Sequence, residues 1–293
     1  MDREQENYEY RRQLRDRKRI VVKVGSSSLL HEETGRLDYH RIDRLAGELS
    51  DLKNRGMEVI LVSSGAAAAG REALKTDLAA YADVTPLHTK QALAAVGQAR
   101  LIMIYEKYFS DYNQITAQVL MTKDTVTNNL SKYNLRNTFT ELLKLGVVPI
   151  VNENDSVATS EFKVGDNDSL SAMVASLMNA DLLILLSDVE GLYTDDPRRN
   201  PNAKFIDYVP VLNAEMMAMG KGTTGSGAGT GGMSTKLQAA HIATRSGCDM
   251  IIAGSGHGMG IIHDIIEGRN IGTLFKAAYD ERFDLQDYLM KEE

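Results

Sequence analysis

Ile20-Val21-Val22-Lys23-Val24-Gly25-Ser26-Ser27 holds, in eight residues, the unit from which the whole chain is built. Its first half is aliphatic on both faces apart from one lysine, as in a strand covered from both sides; a half-exposed strand would alternate instead. A glycine and serines follow at once. The same unit recurs. Met57 to Val62 runs into Ser63-Ser64-Gly65-Ala66, Val147 to Val151 into Asn152-Glu153-Asn154-Asp155, and Leu182 to Leu186 into Ser187-Asp188. Ile115 to Leu120 and Met250 to Ala253 add two more strands. Between them apolar residues return at helical spacing. Ile42, Leu45, Leu49 and Leu52 follow an Asp38 N-cap and stop at Gly56, and further helices are predicted over Thr89–Phe109, Leu135–Leu145, Ser169–Met178 and Leu237–Ser246. Buried strands alternating with helices predict an α/β fold with a central, mainly parallel sheet covered on both faces. Ligands of such sheets bind beyond the C-terminal ends of the strands, where all four polar clusters fall.

Composition sets the limits. A chain of 293 residues can form one large α/β domain or two closely joined lobes, and no linker separates independent units. With 43 % apolar residues, 6 % aromatic and no tryptophan, the core must be aliphatic. A net charge of −7 argues against general affinity for nucleic acid or anionic membranes. The single Cys248 excludes an intrachain disulfide and any Cys-x-x-Cys metal site, and beside Met250–Ala253 it predicts a buried, inert thiol. Residues 1–18 carry eleven charged side chains of both signs, which predicts a solvated extension or surface helix. Neither a signal peptide nor a membrane span is legible, so a cytosolic protein is expected. The expected division is an extension over 1–18, the main α/β domain over 19–277, and a charged tail over 278–293.

Four constellations carry chemistry. Lys23 must either reach solvent or face an anion; an edge-strand lysine is the plainer alternative, but Gly25-Ser26-Ser27 favours the anion. Thr223 to Lys236 packs five glycines ahead of Ser234-Thr235-Lys236, with Ser234 as expected N-cap of a helix. Glycine lets backbone N–H groups approach an anion, and a helix N-terminus and a lysine add positive charge, which makes a phosphate cradle rather than a linker. It is not the common P-loop, because Leu237 follows the lysine. Val164-Gly165-Asp166-Asn167-Asp168 places carboxylates and an amide before a helix. An Asx turn is the bland alternative, but an aspartate there can also fix lysine ammonium groups. Asn152 to Asp155 offers groups suited to an amino acid's ammonium and carboxylate. Ser187-Asp188 through Gly191-Leu192-Tyr193, with Asp196-Pro197, could meet a nucleotide's base and ribose. No histidine spacing suits a metal and no Gly-x-Ser-x-Gly elbow is present, which argues against a serine hydrolase.

With these segments in order from about Arg19 to Ala277, the chain resembles the amino acid kinases. Lys23-Val24-Gly25-Ser26-Ser27 and Ser187-Asp188-Val189-Glu190-Gly191-Leu192-Tyr193 match patterns shared across that family. Val62 to Ala66, Asn152 to Val157, Val164 to Asp168 and Gly229 to Lys236 resemble the members that phosphorylate L-glutamate. The resemblance implies an α/β/α sandwich with the amino-acid site in the N-terminal half and the ATP site in the C-terminal half. It implies transfer of the ATP γ-phosphoryl group to the glutamate side chain, as the entry to proline synthesis. Lys23, Lys236 and Asp168 would form the catalytic set, with Asp168 orienting both lysines. Ser64, Asp155 and Asn167 would hold glutamate. Lys23, Ser187, Asp188, Thr230, Gly231, Gly232, Met233, Ser234, Thr235 and Lys236 would contact ATP, with Mg²⁺ held mainly by phosphates and water and no protein metal site. Proline as feedback inhibitor, a homo-oligomer and a functional link to glutamyl phosphate reductase are further implications. Many bacterial members carry a C-terminal PUA module, which is not expected here, and the N-terminal segment resembles the kinase half of a bifunctional synthase. A same-fold kinase for aspartate, acetylglutamate, carbamate or UMP is the alternative enzyme, and a proline or nucleotide sensor the alternative outside enzymes.

Overall fold

The computed structural model describes residues 2–75, 87–157, 167–220 and 232–291. Its strands are β1 (Arg19–Val24), β2 (Glu58–Ser63), β3 (Thr116–Met121), β4 (Val148–Glu153), β5 (Leu182–Ser187), β6 (Leu192–Tyr193), β7 (Phe205–Ile206), β8 (Tyr208–Val209), β9 (Asp249–Gly254) and β10 (Thr273–Phe275). The helices are α1 (Arg3–Arg11), α2 (Ser26–Leu29), α3 (Tyr39–Asn54), α4 (Ala66–Leu74), α5 (Leu87–Asp111), α6 (Lys123–Thr127), α7 (Asn129–Lys144), α8 (Asn167–Leu177), α9 (Ala214–Met219), α10 (Met233–Arg245), α11 (Ile261–Ile266) and α12 (Leu285–Lys291).

Eight strands form one sheet in the order β3-β4-β2-β1-β5-β9-β10-β8. Neighbours are parallel throughout except β9 against β10. Lys23 lies opposite Val62 on one side and Leu185 on the other, so its strand is central and the edge-strand alternative is excluded. The pleat sorts the strand residues into two cores. Ile20, Val22 and Val24 meet Leu182, Ile184, Leu186 and the apolar stripes of α3, α5 and α11 on one face. Val21, Leu183 and Leu185 meet α7, α8, α10 and α12 on the other. Helices therefore cover both faces, giving three α/β/α layers. Each stripe has the helical period: Ile42, Leu45, Leu49 and Leu52 of α3 are all buried, behind an Asp38 cap that accepts from Arg41 N. Gly56 closes that helix at φ +87, a conformation costly for any side chain.

Two terminal segments dock more firmly than their composition suggests. In α1, Asn7 and Arg11 are buried, and the Arg11 guanidinium donates to Asp207 O, Ile271 O and Gly272 O, each at 2.9 Å. Burial pushes Arg11 down to about 10, still charged at neutral pH. At the other end, Leu285 and Leu289 of α12 enter the core, while Phe283 and Tyr288 pack on His241. Cys248 is buried as expected, and burial raises its thiol further. Among the described residues no helix is long and apolar enough to cross a membrane.

Candidate active site

The C-terminal ends of β1, β2, β4 and β5 turn into polar loops at one rim of the sheet. β1 delivers Lys23 there, and the first turns of α8 and α10 deliver Asp168, Thr235 and Lys236. Lys23 Nζ lies 2.5 Å from Asp168 Oδ1 and Lys236 Nζ 2.9 Å from Asp168 Oδ2. Thr235 Oγ1 lies 3.1 Å from the same Oδ2 and 2.9 Å from Gly232 O. Relative exposure is 7 % for Lys23, 1 % for Asp168 and 5 % for Lys236. Burial alone would push the Asp168 carboxyl up, but the ammonium groups of Lys23 and Lys236 outweigh it and hold it well below the usual carboxylate range. Among the described residues, two cations against one anion leave a surplus positive charge at a buried place. Such a site is completed by a further anion. The Lys23 ammonium folds back over the turn after β1, where a Cβ at Gly25 would stand 3.3 Å from it. Helix α10 starts at Met233 with Gly232 as its N-cap, so its N-terminal dipole adds to the charge beside Lys236. Ser234 therefore lies inside the first turn and caps nothing, contrary to expectation, because the helix starts earlier and Gly232 takes the N-cap position.

A second polar system begins one residue earlier. Asn167 Nδ2 donates to Ser64 Oγ at 2.7 Å and to Asn152 Oδ1 at 2.9 Å. Asn152 Nδ2 in turn donates to Gln98 Oε1 at 2.8 Å. Behind Ser64, the Ser63 hydroxyl meets the buried Tyr105 hydroxyl at 2.7 Å. The turns after β2 and β4 are thus tied to the start of α8, and Asn167 and Asp168 place the amide chain and the lysine pair side by side. Asp155 stands half-buried just beyond β4, and burial pushes its carboxyl up to about 6. Ser187 and Asp188 follow β5: Ser187 Oγ donates to Asp188 Oδ1 at 3.0 Å, and its carbonyl lies 3.0 Å from Ser255 Oγ. The next turn passes through Gly191, where a Cβ would come within 2.5 Å of Thr273 Oγ1, and Leu192 N donates to that oxygen at 2.7 Å.

The structure brings Lys23, Lys236, Asp168 and Thr235 together, joins Ser64 to Asn167, and sets Gly232, Met233 and Ser234 at the start of α10. Thr230 and Gly231, with Val164 to Asp166, lie outside the described residues. Gln98 and Thr273 were missed from sequence. Gln98 sits in an alanine-rich helix with no local signal of its own, and Thr273 reads as an ordinary strand residue. Among the described residues no group of three or more His, Cys, Asp or Glu side chains could hold a metal.

A model described as the amino acid kinase family matches residues 18–254. The glutamate 5-kinase of Carboxydothermus hydrogenoformans is 49 % identical over 262 residues, covering 89 % of this chain and 68 % of that relative. The glutamate 5-kinase of Clostridium perfringens is 46 % identical over 275 residues, covering 92 % of this chain and 100 % of the relative. Among solved structures, carbamate kinase from Giardia lamblia bound to AMP-PNP superposes with a TM-score of 0.61 at 17 % identity, over 89 % of this chain and 99 % of that one. UMP kinase from Ureaplasma parvum gives 0.60 at 18 % identity, with coverage of 89 % and 99 %. At such low identity the structures share a fold and carry no statement about substrate. The matched model spans most of the chain and the glutamate 5-kinases match it almost end to end: the chain belongs to the amino acid kinase family, in its glutamate 5-kinase branch.

Proposed function

We infer that this chain transfers the γ-phosphoryl group of ATP to the side-chain carboxylate of L-glutamate, forming γ-glutamyl phosphate and ADP, the first step of proline biosynthesis. The observation that carries the mechanism is the pair of buried lysines held on one aspartate, 2.5 and 2.9 Å from its two oxygens. A carboxylate oxygen of glutamate attacks the γ-phosphorus, the bond from that phosphorus to the bridging oxygen breaks, and its electron pair leaves on ADP. No proton moves in this step, because a side chain with a pKa near ~4.3 is already ionised at neutral pH. A general base is therefore not required. What the reaction does require is in-line placement and neutralisation of charge on the transferring group.

Lys23 and Lys236 meet the second need. Asp168 prevents the two ammonium groups from repelling each other out of position, and leaves them jointly cationic toward the phosphates. Ser64, Asn167 and Asp155 hold glutamate, with the Asp155 carboxylate toward the α-ammonium. Ser187, Asp188 and the segment Thr230 to Lys236 contact the nucleotide. Mg²⁺, brought in with the nucleotide, would supply further neutralisation of the phosphate charge. The residues present suit an ion brought in on the nucleotide, since Asp168 is committed to two lysines. Proline, with an ammonium and a carboxylate but no acceptor group, suits the same amino-acid end as a competing inhibitor. An acyl phosphate is short-lived in water, which favours hand-over to a reductase.

The test offers purified protein Mg-ATP with L-glutamate, L-aspartate, N-acetylglutamate or UMP, with hydroxylamine present to trap any acyl phosphate. ADP release with hydroxamate from glutamate alone is expected. A phosphorylated nucleotide would move the chain to another branch of the family, and ligand binding without ADP would make it a sensor.

A further inference from the structure

The amide chain behind the amino-acid site has a direction, and that direction determines what the site can recognise. Glu153 N donates to Asn152 Oδ1 at 2.9 Å. A backbone N–H can only donate, so this contact settles which end of the Asn152 amide is oxygen. Its Nδ2 must then face Gln98, where Oε1 accepts at 2.8 Å. Asn152 Oδ1 also requires a donor from Asn167, so Nδ2 of Asn167 points to it at 2.9 Å, and its second hydrogen reaches Ser64 Oγ at 2.7 Å. Both hydrogens of the Asn167 amide are thereby used. Its Oδ1 is buried, and among the described residues nothing donates to it, although the residue is only 3 % exposed. A buried acceptor without a donor is costly, so this oxygen awaits one from a ligand. Ser64 Oγ, having accepted from Asn167, keeps its own hydrogen for an acceptor.

Resting on the reading of glutamate as substrate, we propose that Gln98 is a positioning and specificity-determining residue: through Asn152 it locks Asn167 with its oxygen toward the substrate's α-ammonium. At neutral pH glutamate offers one group that donates, its ammonium, and two that only accept, its carboxylates. The open Asn167 oxygen can serve only the first, and the Ser64 hydroxyl suits a carboxylate. Gln98 touches neither. It supplies the acceptor at the far end of the relay; without it the Asn152 amide is oriented by Glu153 N alone, and its hold on Asn167 is weakened.

The test compares wild type with Gln98→Met, which removes the acceptor at similar volume, and Gln98→Glu, which keeps one. Three quantities are read: KM for L-glutamate, KM for ATP, and the inhibition constant of glutarate, which retains both carboxylates and lacks the ammonium. Gln98→Met is expected to raise the glutamate KM roughly tenfold, the usual effect of one hydrogen bond to a charged group. The ATP KM and the glutarate constant should change less than about twofold, because neither ligand uses the Asn167 oxygen. Gln98→Glu should recover more than half of the loss on a logarithmic scale. An unchanged glutamate KM in Gln98→Met would overturn the inference alone. So would equal losses for glutamate and glutarate, which would mark Gln98 as a general support of the fold, or a Gln98→Glu variant as impaired as Gln98→Met. If wild type does not turn over glutamate at all, the functional reading itself fails, and this inference with it.

Discussion

Asp168 shows how much one side chain can organise. Its carboxylate is buried, which is expensive for a lone charge, and it persists because Lys23 and Lys236 each take one oxygen. Replacing it by asparagine leaves two buried ammonium groups without a counter-charge. Asp168→Asn should therefore lower kcat by about a hundredfold or more while moving the glutamate KM far less, and Lys236→Ala should lower kcat similarly with the fold retained. Steady-state kinetics on variants with wild-type circular dichroism checks both, and near-normal turnover in either would remove that residue from the mechanism. Asp168 also links stability to pH. Its folded pKa is depressed, so its contribution is present above the unfolded value and is lost as pH falls through the folded one. Asp155 behaves in the opposite sense. Burial raises it to about 6, so it is ionised and able to hold an ammonium only above that pH. The glutamate KM should rise as pH falls through about 6, and this dependence should vanish in Asp155→Asn. The raised pKa also means that ionising Asp155 at neutral pH costs stability. Asp155→Asn should thus melt higher than wild type at pH 7 to 8, and the difference should shrink toward pH 4. An equal or lower melting temperature at pH 8 would contradict the burial argument. Lysines and acids of this kind stood out in the sequence because a charge among aliphatic residues needs a reason. Gln98 did not, since a neutral amide on a helix has no such cost.

At the scale of elements, the strands were the legible part. An aliphatic run on both faces means a strand covered on both sides wherever it occurs, and β1, β2, β4, β5 and β9 follow their predicted spans within a residue or two. Helix ends were harder, because caps rest on local geometry: α7 begins at Asn129, six residues before the predicted start, since Asn128 caps it by accepting from Ser131 N. The crossing of α4 and α5 was present in the sequence as two glycines inside helices and went unread. Glycine within a helix costs roughly 1 kcal/mol relative to alanine and therefore calls for a packing reason. Here the reason is contact between backbones. A Cβ at Gly97 would stand 1.6 Å from Ala66 O, and one at Gly70 would stand 2.0 Å from Leu93 O. No side-chain shift relieves a clash with a carbonyl, so Gly97→Ala must force the helices apart. The expected loss is about 3 kcal/mol or more, at the upper end of overpacking. It should be accompanied by a higher glutamate KM, because Gln98 is the next residue and α4 begins just after Ser64. Gly256→Ala is the control: nothing lies within 4 Å of its Cβ position, and its melting temperature should stay near wild type. A Gly97→Ala protein as stable as this control would show that the two helices do not touch as closely as described.

At the scale of the whole molecule, the least legible feature is how the first eighteen residues belong to it. Their mixed charges resemble a solvated segment, and composition cannot reveal that one arginine among six basic residues is buried. What determines the outcome is distant in sequence: the carbonyls of Asp207, Ile271 and Gly272 gather at the β8 and β10 margin of the sheet, that of Asp207 already accepting from Leu274 N at 2.9 Å. Arg11 has a planar fork of donors that reaches all three at 2.9 Å, while its Nε is held by Asn7 Oδ1 at 2.9 Å. Nearby, the fully buried Asp249 accepts from the Tyr10 hydroxyl at 2.9 Å, from Arg17 at 2.5 Å and from Ala277 N at 2.7 Å. The N-terminal segment, the β8–β10 margin and the start of the C-terminal segment are thereby fastened at one place, away from the lysine pair. Arg11→Met should take the side-chain donor from the Ile271 and Gly272 carbonyls, at about 1–3 kcal/mol each, reduced where water can enter, while Asp207 O keeps Leu274 N. For a chain of this size a net loss near 3 kcal/mol corresponds to a fall in Tm of roughly 6–12 °C. Arg11→Lys should recover little, because an ammonium cannot reproduce the fork. The glutamate KM measured well below Tm should be unchanged, since Ser64, Asn152 and Asn167 lie on the other half of the sheet. Calorimetry of the three proteins checks this. A Met variant melting within about 1 °C of wild type would mean that α1 rests on the sheet margin without holding it.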